Sequence, residues 1–436
     1  MRARWVSTFL AALCGAALSG CAGEAASSAP HAGAALPAAL PAAAARGPAP
    51  AGASSAKRHT LGASNCAGSA LGSDAFIGAG VDDAAPGFAA FAGAGYDSNA
   101  CDEYTVVVGG YGNTIFSGTG TDNGQSFIGA GNSNSITGTS AYNSGIVGGD
   151  GNSIIAPDAF IGSGDANAIA TSGNYSALVG GGDNTLNAEY GFIGAGSTNA
   201  VSGEYGVIGG GNGNTVSGSA AVIGGGQGSY AEGAYATVPG GYDDNAAGEL
   251  SFAAGFKSYA RYAGSFVWSD YASGATLLES TAVNQFLARA TGGFTLWTNA
   301  ANTVGATLAP GSGTWASASD RNLKTDVARI DDAAVLDKVA ALPIERWSYK
   351  SERGVRHVGP MAQDFYAAFG VGEDDKHITS IDEDGVALAA IKALHAENAR
   401  LRRTTSAQTA GLRAEVAGLR AEVAALRALV EERVAR

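Results

Sequence analysis

Residues 192–226 read FIGAGSTNAVSGEYGVIGGGNGNTVSGSAAVIGGG and contain two short elements that alternate. An apolar pair followed by glycines begins at Phe192 and again at Val207, so the unit recurs about every 15 residues. The second element has the pattern Asn-x-apolar-x-Gly and begins at Asn199 and Asn214. Glycine and asparagine tolerate the positive φ of tight turns, so each unit predicts two very short strands separated by turns.

The apolar-glycine element recurs throughout residues 75–260, in units of 14 to 20 residues. Strands this short cannot stand alone, so successive units must stack as coils around a shared apolar column. We therefore predict a mainly β fold, with a glycine-rich β-solenoid or β-roll head over residues 61–260. Because one thin roll buries little surface, this head favours association of several copies.

Composition excludes several classes of protein. The chain has 436 residues, 66 of them glycine, and a net charge of −13, which makes nucleic acid an unsuitable partner. Four cysteines are too few for a disulfide scaffold or a zinc framework. Residues 61–275 hold 18 acidic residues against Lys257 and Arg261, which we interpret as a solvated face that keeps the repeat soluble.

A calcium site is the main alternative for the acidic turns. Gly148–Asn152 and Gly180–Asn184 resemble glycine- and aspartate-rich calcium repeats. Those repeats have a nine-residue period with aspartate at a fixed place, whereas this period is near 15 and aspartate is sporadic. We therefore expect no metal and no cofactor, and no carboxylate pair is typical of a glycosidase.

The N-terminus predicts export and lipidation. Residues 1–20 combine two early arginines with a short apolar run, which indicates a signal peptide. The run ends at Leu18-Ser19-Gly20-Cys21, which resembles the bacterial lipobox and implies lipidation of Cys21. In such lipoproteins Ala22 implies sorting to the outer membrane, and we expect a surface location; an ordinary signal peptide with a chance cysteine is the alternative. Residues 21–60 are rich in alanine and proline and predict a disordered tether.

Two further cysteines, Cys66 and Cys101, flank the first coils. In an exported protein they can pair as a structural disulfide, but the sequence leaves that pairing open.

The segment after the head changes character twice. Residues 261–315 alternate apolar and polar residues and predict a β-rich neck. Charge density then rises at Ser319-Asp320-Arg321-Asn322-Leu323-Lys324. Later motifs include Trp347-Ser348-Tyr349-Lys350, Arg356-His357-Val358-Gly359-Pro360 and Met361-Ala362-Gln363-Asp364-Phe365.

In this order the motifs resemble the endosialidase-type intramolecular chaperone, an auto-processing domain at the C-terminus of phage tail spikes. The resemblance implies such a domain at residues 316–400. It also implies a homotrimer and self-cleavage by a serine and a lysine five residues later, which are Ser319 and Lys324 here. Ser319 would attack the carbonyl of Ala318, and the Ala318–Ser319 bond would break. A domain that is retained but not processed is the alternative.

Four further residues belong to the matching motifs without a catalytic step. Asp320 and Arg321 would fix the loop of the dyad. His357 and Gln363 would support the domain, His357 by packing or hydrogen bonding rather than as a base.

The C-terminal residues 401–436 continue a heptad pattern and predict a coiled coil. Its apolar positions include Leu412, Val416, Leu419 and Val423. Valine at a and leucine at d favour dimers, whereas the resembled family is trimeric.

The head itself resembles those of trimeric autotransporter adhesins in repeat length and in its glycine, asparagine and small-residue character. We therefore expect a lipid-anchored, adhesin-like fibre with a host matrix or a glycan as ligand. Apart from one self-cleavage, we predict no enzymatic activity. The alternatives are a polysaccharide depolymerase, as in some tail spikes, and a passive spacer.

Overall fold

The computed structural model describes residue 66 and residues 71–117, 124–272 and 274–436. The signal peptide, Cys21 and the tether predicted for residues 21–60 lie outside the described residues. The chain divides after Gly240 into two compact units, which are described separately below.

A β-solenoid of about 13 turns followed by a small α/β region and a long helix confirms the predicted fold class. In the first unit each turn gives one strand to each of two parallel sheets. The first sheet contains β1 (Phe76–Ile77), β2 (Phe91–Tyr96), β4 (Val106–Tyr111), β6 (Phe127–Ile128), β8 (Gly145–Ile146), β10 (Phe160–Ile161), β12 (Ala177–Leu178), β14 (Phe192–Ile193), β16 (Val207–Ile208), β18 (Val222–Ile223) and β20 (Thr237–Val238). The second contains β3 (Asn99–Ala100), β5 (Thr114–Phe116), β7 (Ser135–Thr137), β9 (Ser153–Ile154), β11 (Ala168–Ile169), β13 (Thr185–Leu186), β15 (Ala200–Val201), β17 (Thr215–Val216) and β19 (Tyr230–Ala231).

Each coil packs one inward residue from each sheet against the coil before it. In the first sheet the second residue of each short strand points inward, and Ile161, Ile193 and Ile208 are fully buried. Ile154 and Leu186 do the same from the second sheet. Because side chains alternate across a strand, this register sends the first residue of each strand outward and forms a continuous apolar column inside.

A column of buried asparagines runs beside the apolar core. The side-chain amides of these residues form hydrogen bonds from one coil to the next. The column consists of Asn113, Asn134, Asn152, Asn167, Asn184, Asn199 and Asn214. The Oδ1 of Asn184 accepts from the backbone N–H and from the Nδ2 of Asn199, each at 3.0 Å. The Nδ2 of Asn184 donates to the carbonyl of Gly196 at 2.9 Å. Each amide is therefore satisfied only when the next coil is present.

These asparagines do not adopt the positive φ that we expected of them. That conformation falls on the preceding residue instead, with φ of 54° at Thr198 and 55° at Asp183. Gly196 also has a positive φ, 109°, and a Cβ there would overlap the carbonyl oxygen of Gly211 in the next coil. Glycine at this position therefore allows the close approach of coils that the amide column needs.

The second unit begins with further parallel coils. Its strands are β21 (Gly241–Tyr242), β22 (Asn245–Ala246), β23 (Phe252–Phe256), β24 (Ser258–Ala260), β25 (Phe266–Ser269), β26 (Leu278–Glu279) and β27 (Phe286–Arg289). Since β27 pairs in parallel with β25, the coils continue to Arg289, beyond the head boundary that we placed at residue 260. The glycine signature is lost at Phe266–Ser269 although the strand pattern is kept, so counting glycines ended the head too early.

The rest of the second unit is smaller. An antiparallel sheet of β28 (Phe294–Trp297), β29 (Gly305–Leu308) and β30 (Trp315–Ser317) is followed by a 3-10 helix at Arg321–Leu323. Then come α1 (Asp332–Ala341), β31 (Glu345–Trp347), β32 (His357–Gly359), α2 (Ala362–Phe369) and α3 (Ser380–Val434).

Helix α3 packs on α1, and Lys392 of α3 forms an ion pair with Asp332 of α1 at 2.6 Å. Thr379 caps the N-terminus of α3 by accepting from the backbone N–H of Asp382. The predicted boundary between residues 400 and 401 falls inside this continuous helix. Across the described ranges, no helix is long and apolar enough to cross a membrane.

The asparagine column predicts a large loss of stability for Asn184→Ala. The change removes the acceptor of two N–H groups of Asn199 and the donor to Gly196, so the free energy of unfolding should fall by about 3 kcal/mol. Thr185→Ala, on the exposed face of the next position, is the matched control and should change it by less than about 0.5 kcal/mol. Urea unfolding followed by circular dichroism measures both, and equal effects would contradict the role of the column.

Asp244 predicts a pH-dependent stability. Burial raises the pKa of its carboxyl to about 6, although the N–H of Ser258 donates to it at 2.8 Å and opposes the rise. A raised folded-state pKa stabilises the fold at low pH, and this contribution is lost as the pH rises through about 6. Asp244→Asn should therefore raise the melting temperature at pH 7.5 and leave it nearly unchanged at pH 4.

Glu249→Gln removes the same charge from an exposed turn and serves as the control for Asp244→Asn. An equal gain at pH 7.5 in both variants would mean that net charge, and not burial of Asp244, sets the effect.

Candidate self-cleavage site

The predicted scissile bond lies directly after the last strand of the antiparallel sheet. The backbone N–H of Ala318 donates to the carbonyl of Gly305 at 3.0 Å, which continues the pairing of β30 with β29 by one residue. The chain leaves the sheet at Ser319. The sheet therefore holds one side of the Ala318–Ser319 bond in place.

The 3-10 turn that follows brings the two proposed catalytic side chains together. Asp320 caps this turn, and its Oδ1 accepts from the backbone N–H of Asn322 at 2.9 Å. The backbone N–H of Lys324 donates to the carbonyl of Arg321 at 3.2 Å and closes the turn. As a result the Nζ of Lys324 donates to the Oγ of Ser319 at 2.7 Å.

Both members of this dyad are exposed in the single chain. A serine hydroxyl becomes a good nucleophile only beside a base, and a lysine acts as a base once burial or nearby cations weaken its hold on the proton. The chain thus supplies the contact between the two groups but leaves both side chains exposed to solvent.

The other four residues of the matching motifs lie in different parts of the second unit. Asp320 caps the turn through its side chain, and Arg321 is the first residue of the 3-10 helix. His357 stacks on Trp347, with ring centroids 4.7 Å apart, and Gln363 lies exposed in the first turn of α2. The supporting roles of His357 and Gln363 and the catalytic roles of Ser319 and Lys324 all stay predictions.

Two polar contacts were missed by reasoning from the sequence. Asn322 also donates its Nδ2 to Asp320 at 3.0 Å, and its place inside the quoted motif was the available signal. Farther along, the Nδ1 of His377 lies 2.9 Å from Asp374. The N–H of Lys376 is the main cause that lowers the pKa of the Asp374 carboxyl, followed by the His377 side chain. The Asp-x-x-His spacing ahead of a helix was the available signal for this contact, and it is a weak one.

Cys66 and Cys101 form a disulfide with their Cα atoms 5.6 Å apart. Both are buried with Ala84, and Phe116 packs against them. The bridge therefore joins residues 35 apart at the start of the solenoid, which the sequence had left open.

Metal ligands do not converge in the part of the chain that the structure describes. No group of three or more His, Cys, Asp or Glu residues there is arranged to hold a metal ion. Asp150 and Asp183 of the glycine-rich turns are both exposed, and Asp150 accepts from the Nδ2 of Asn132 at 3.0 Å.

Comparison with known protein families points to the same segment as the geometry. Residues 319–370 match the family model described as chaperone of endosialidase, and this match begins at Ser319 itself. No curated protein sequence matches the chain. The chain therefore carries an endosialidase-type chaperone domain behind a β-solenoid head.

Proposed function

We propose that this protein is a surface-anchored, adhesin-like fibre whose C-terminal domain joins three copies, assists folding of the solenoid and is then released by self-cleavage. One observation carries the proposal: the Nζ of Lys324 lies 2.7 Å from the Oγ of Ser319, at the residue where the chaperone segment begins.

Helix α3 supports the joining of copies. It is 55 residues long, and beyond its contact with α1 it presents an apolar seam to solvent. The exposed seam consists of Leu401, Leu412, Val416, Leu419, Val423, Leu426 and Val430. Burying these side chains between helices of sister copies would stabilise the assembly by the hydrophobic effect.

Joining the C-termini first would help the solenoid to fold. Each coil of the head is completed by the next, so its contacts are formed across the coil repeat rather than within one strand. Holding three chains together raises their effective concentration and sets a common register before the coils close. This role matches the word chaperone in the family description.

Cleavage would follow the ordinary course of an activated serine. Neutral Lys324 takes the proton of Ser319 as the Oγ attacks the carbonyl carbon of Ala318, forming a C–O bond. The C–N bond then breaks, and the leaving nitrogen of Ser319 takes a proton. Water hydrolyses the ester, which leaves a carboxylate on Ala318 and a free amino group on Ser319.

The exposure of the dyad supports cleavage after assembly. In the single chain both side chains face solvent, so the desolvation that activates such a pair is absent. Packing of sister copies over the loop would supply the missing desolvation, so an unassembled chain would stay intact. Release of the C-terminal domain would then remove the part of the chain that had joined the copies. The assembled head could not return to separate chains by the same route, so assembly would be irreversible.

Lipidation of Cys21 would keep the head on the outer membrane. Several acyl chains on one residue anchor stably, and the tether of residues 21–60 would lift the solenoid from the lipid surface. The chaperone domain would leave, and the head would remain to contact a host matrix or a glycan.

The dyad predicts that Ser319→Ala and Lys324→Ala abolish processing of the full chain. Intact mass spectrometry of protein tagged at both ends should show a fragment starting at Ser319 only in the wild type. Lys324→Arg keeps the charge and a donor but cannot yield a neutral base, so it should also block cleavage. Lys350→Ala and Ser351→Ala, which remove the same groups from an exposed loop, are the matched controls and should be cleaved normally.

Cleavage that persists in Ser319→Ala, or a wild-type chain that stays full-length after assembly, would refute the proposed self-cleavage. Efficient cleavage of Lys324→Arg would show that the lysine only positions the serine.

The seam of α3 predicts loss of the trimer in Leu419→Glu/Val423→Glu. Two buried charges at the centre of the seam should shift the uncleavable Ser319→Ala protein from trimer to monomer in sedimentation equilibrium. Ala414→Glu/Ala421→Glu adds the same charges on the opposite face of the helix and should leave the trimer intact. A dimer in the parent protein would contradict the trimeric proposal.

A further inference from the structure

A row of tyrosines follows one corner of the solenoid in the first unit. Tyr175, Tyr190 and Tyr205 occupy the same turn position in consecutive coils, with φ between 56° and 58°. Their rings stack with centroids 5.2 Å and 4.9 Å apart and interplanar angles of 12° and 2°. The rings are therefore parallel. Each ring face is turned toward the ring of the neighbouring coil, and the ring edges face solvent.

The next coil lacks a ring in this row. Ala220 occupies the turn position with a φ of 52°, and Tyr235 occupies it one coil later with a φ of 58°. The coils stay in register, since the backbone N–H of Ala220 donates to the backbone carbonyl of Glu204 at 2.7 Å and that of Tyr235 donates to the backbone carbonyl of Ser219 at 2.9 Å. Tyr235 is 60% exposed, against 44% for Tyr190, which has a ring on both sides.

The missing ring leaves a slot with aromatic walls. Coils of a parallel sheet are spaced by about 4.8 Å, so the turn positions of Tyr205 and Tyr235 lie about 10 Å apart. A ring centred between these two walls would lie about 5 Å from each, within the range of favourable ring contacts. Ala220 forms the floor, and its small side chain leaves the space open.

The polar surroundings select the occupant. Glu204 and Ser219 precede Tyr205 and Ala220 in the two turns and are exposed, so acceptors for hydroxyl or amino groups lie beside the slot. A pyranose ring presents C–H groups on both faces and polar groups at its rim, which fits two aromatic walls with acceptors at the edge. The net charge of −16 over residues 61–275 disfavours an anionic sugar.

We propose that the slot over Ala220, between Tyr205 and Tyr235, binds one pyranose ring of a neutral or amino-substituted glycan. This inference rests on the proposed adhesin-like function of the head and names the class of its ligand. The stacked row of Tyr175, Tyr190 and Tyr205 holds one wall in a fixed orientation, so the slot is formed before the sugar arrives.

The test uses the full-length Ser319→Ala protein and isothermal titration with four probes. These are hexamers of β-1,4-linked glucose, N-acetylglucosamine and glucosamine, and an oligogalacturonate as the anionic comparison. At least one of the first three should bind, and the oligogalacturonate should not. Tyr205→Ala and Tyr235→Ala should each weaken binding about tenfold or more.

Ala220→Tyr is the decisive variant because it fills the slot with the ring that four neighbouring turns already accept. It should abolish binding while the melting temperature stays equal or rises. Tyr142→Ala removes an exposed ring that lies outside the row and is the matched control, which should bind as the parent does.

Binding that survives in Ala220→Tyr would overturn the slot and leave a glycan-binding head in place. No binding by any of the four probes would also overturn it, while self-cleavage and trimer formation are judged by their own experiments. A change of oligomeric state in Ala220→Tyr would show that a side chain of a second copy fills the slot, and would overturn the sugar as occupant.

Discussion

The close stacking of coils at the asparagine column is the constraint on which the head depends. An amide removed from water must find partners, and in this column most of the partners belong to a neighbouring coil. Glycine three residues before each asparagine lets the backbones approach closely enough, because a Cβ there would meet the next backbone. Apolar burial alone would tolerate looser spacing, so the amides make the coil repeat specific.

Buried aspartates accept backbone hydrogen bonds from the next coil in each of the two units. Near the start Asp83 accepts from the N–H of Ser98, and in the second unit Asp244 accepts from Ser258. Burial is the main cause that raises the pKa of both carboxyls, so it disfavours the ionised form of each. The Cys66–Cys101 disulfide adds a covalent tie near the start of the described coils.

The second unit is organised in the opposite way. The apolar seam of α3 and the dyad face solvent in the single chain, whereas the column asparagines of the first unit find their hydrogen-bond partners within the solenoid. This contrast fits a head that is stable once formed and a C-terminal domain whose surfaces are completed by other copies. The stacked coils also fix the positions of the exposed rings in the tyrosine row. These positions therefore do not depend on a bound ligand.

The sequence by itself determined the period of the repeat, the two strands per coil and the spacing of Ser319 and Lys324. These are local properties, set by which residues tolerate turns and by the alternation of side chains along a strand. It did not determine that the asparagines form a buried column, since their contacts are 12 to 21 residues away and the same residues also suit turns. Tertiary structure likewise decided the end of the solenoid at Arg289, the pairing of Cys66 and Cys101 and the break in the tyrosine row at Ala220. Each of these features depends on which residues of the neighbouring coil lie next to a given position. The sequence of a single repeat unit does not contain that information.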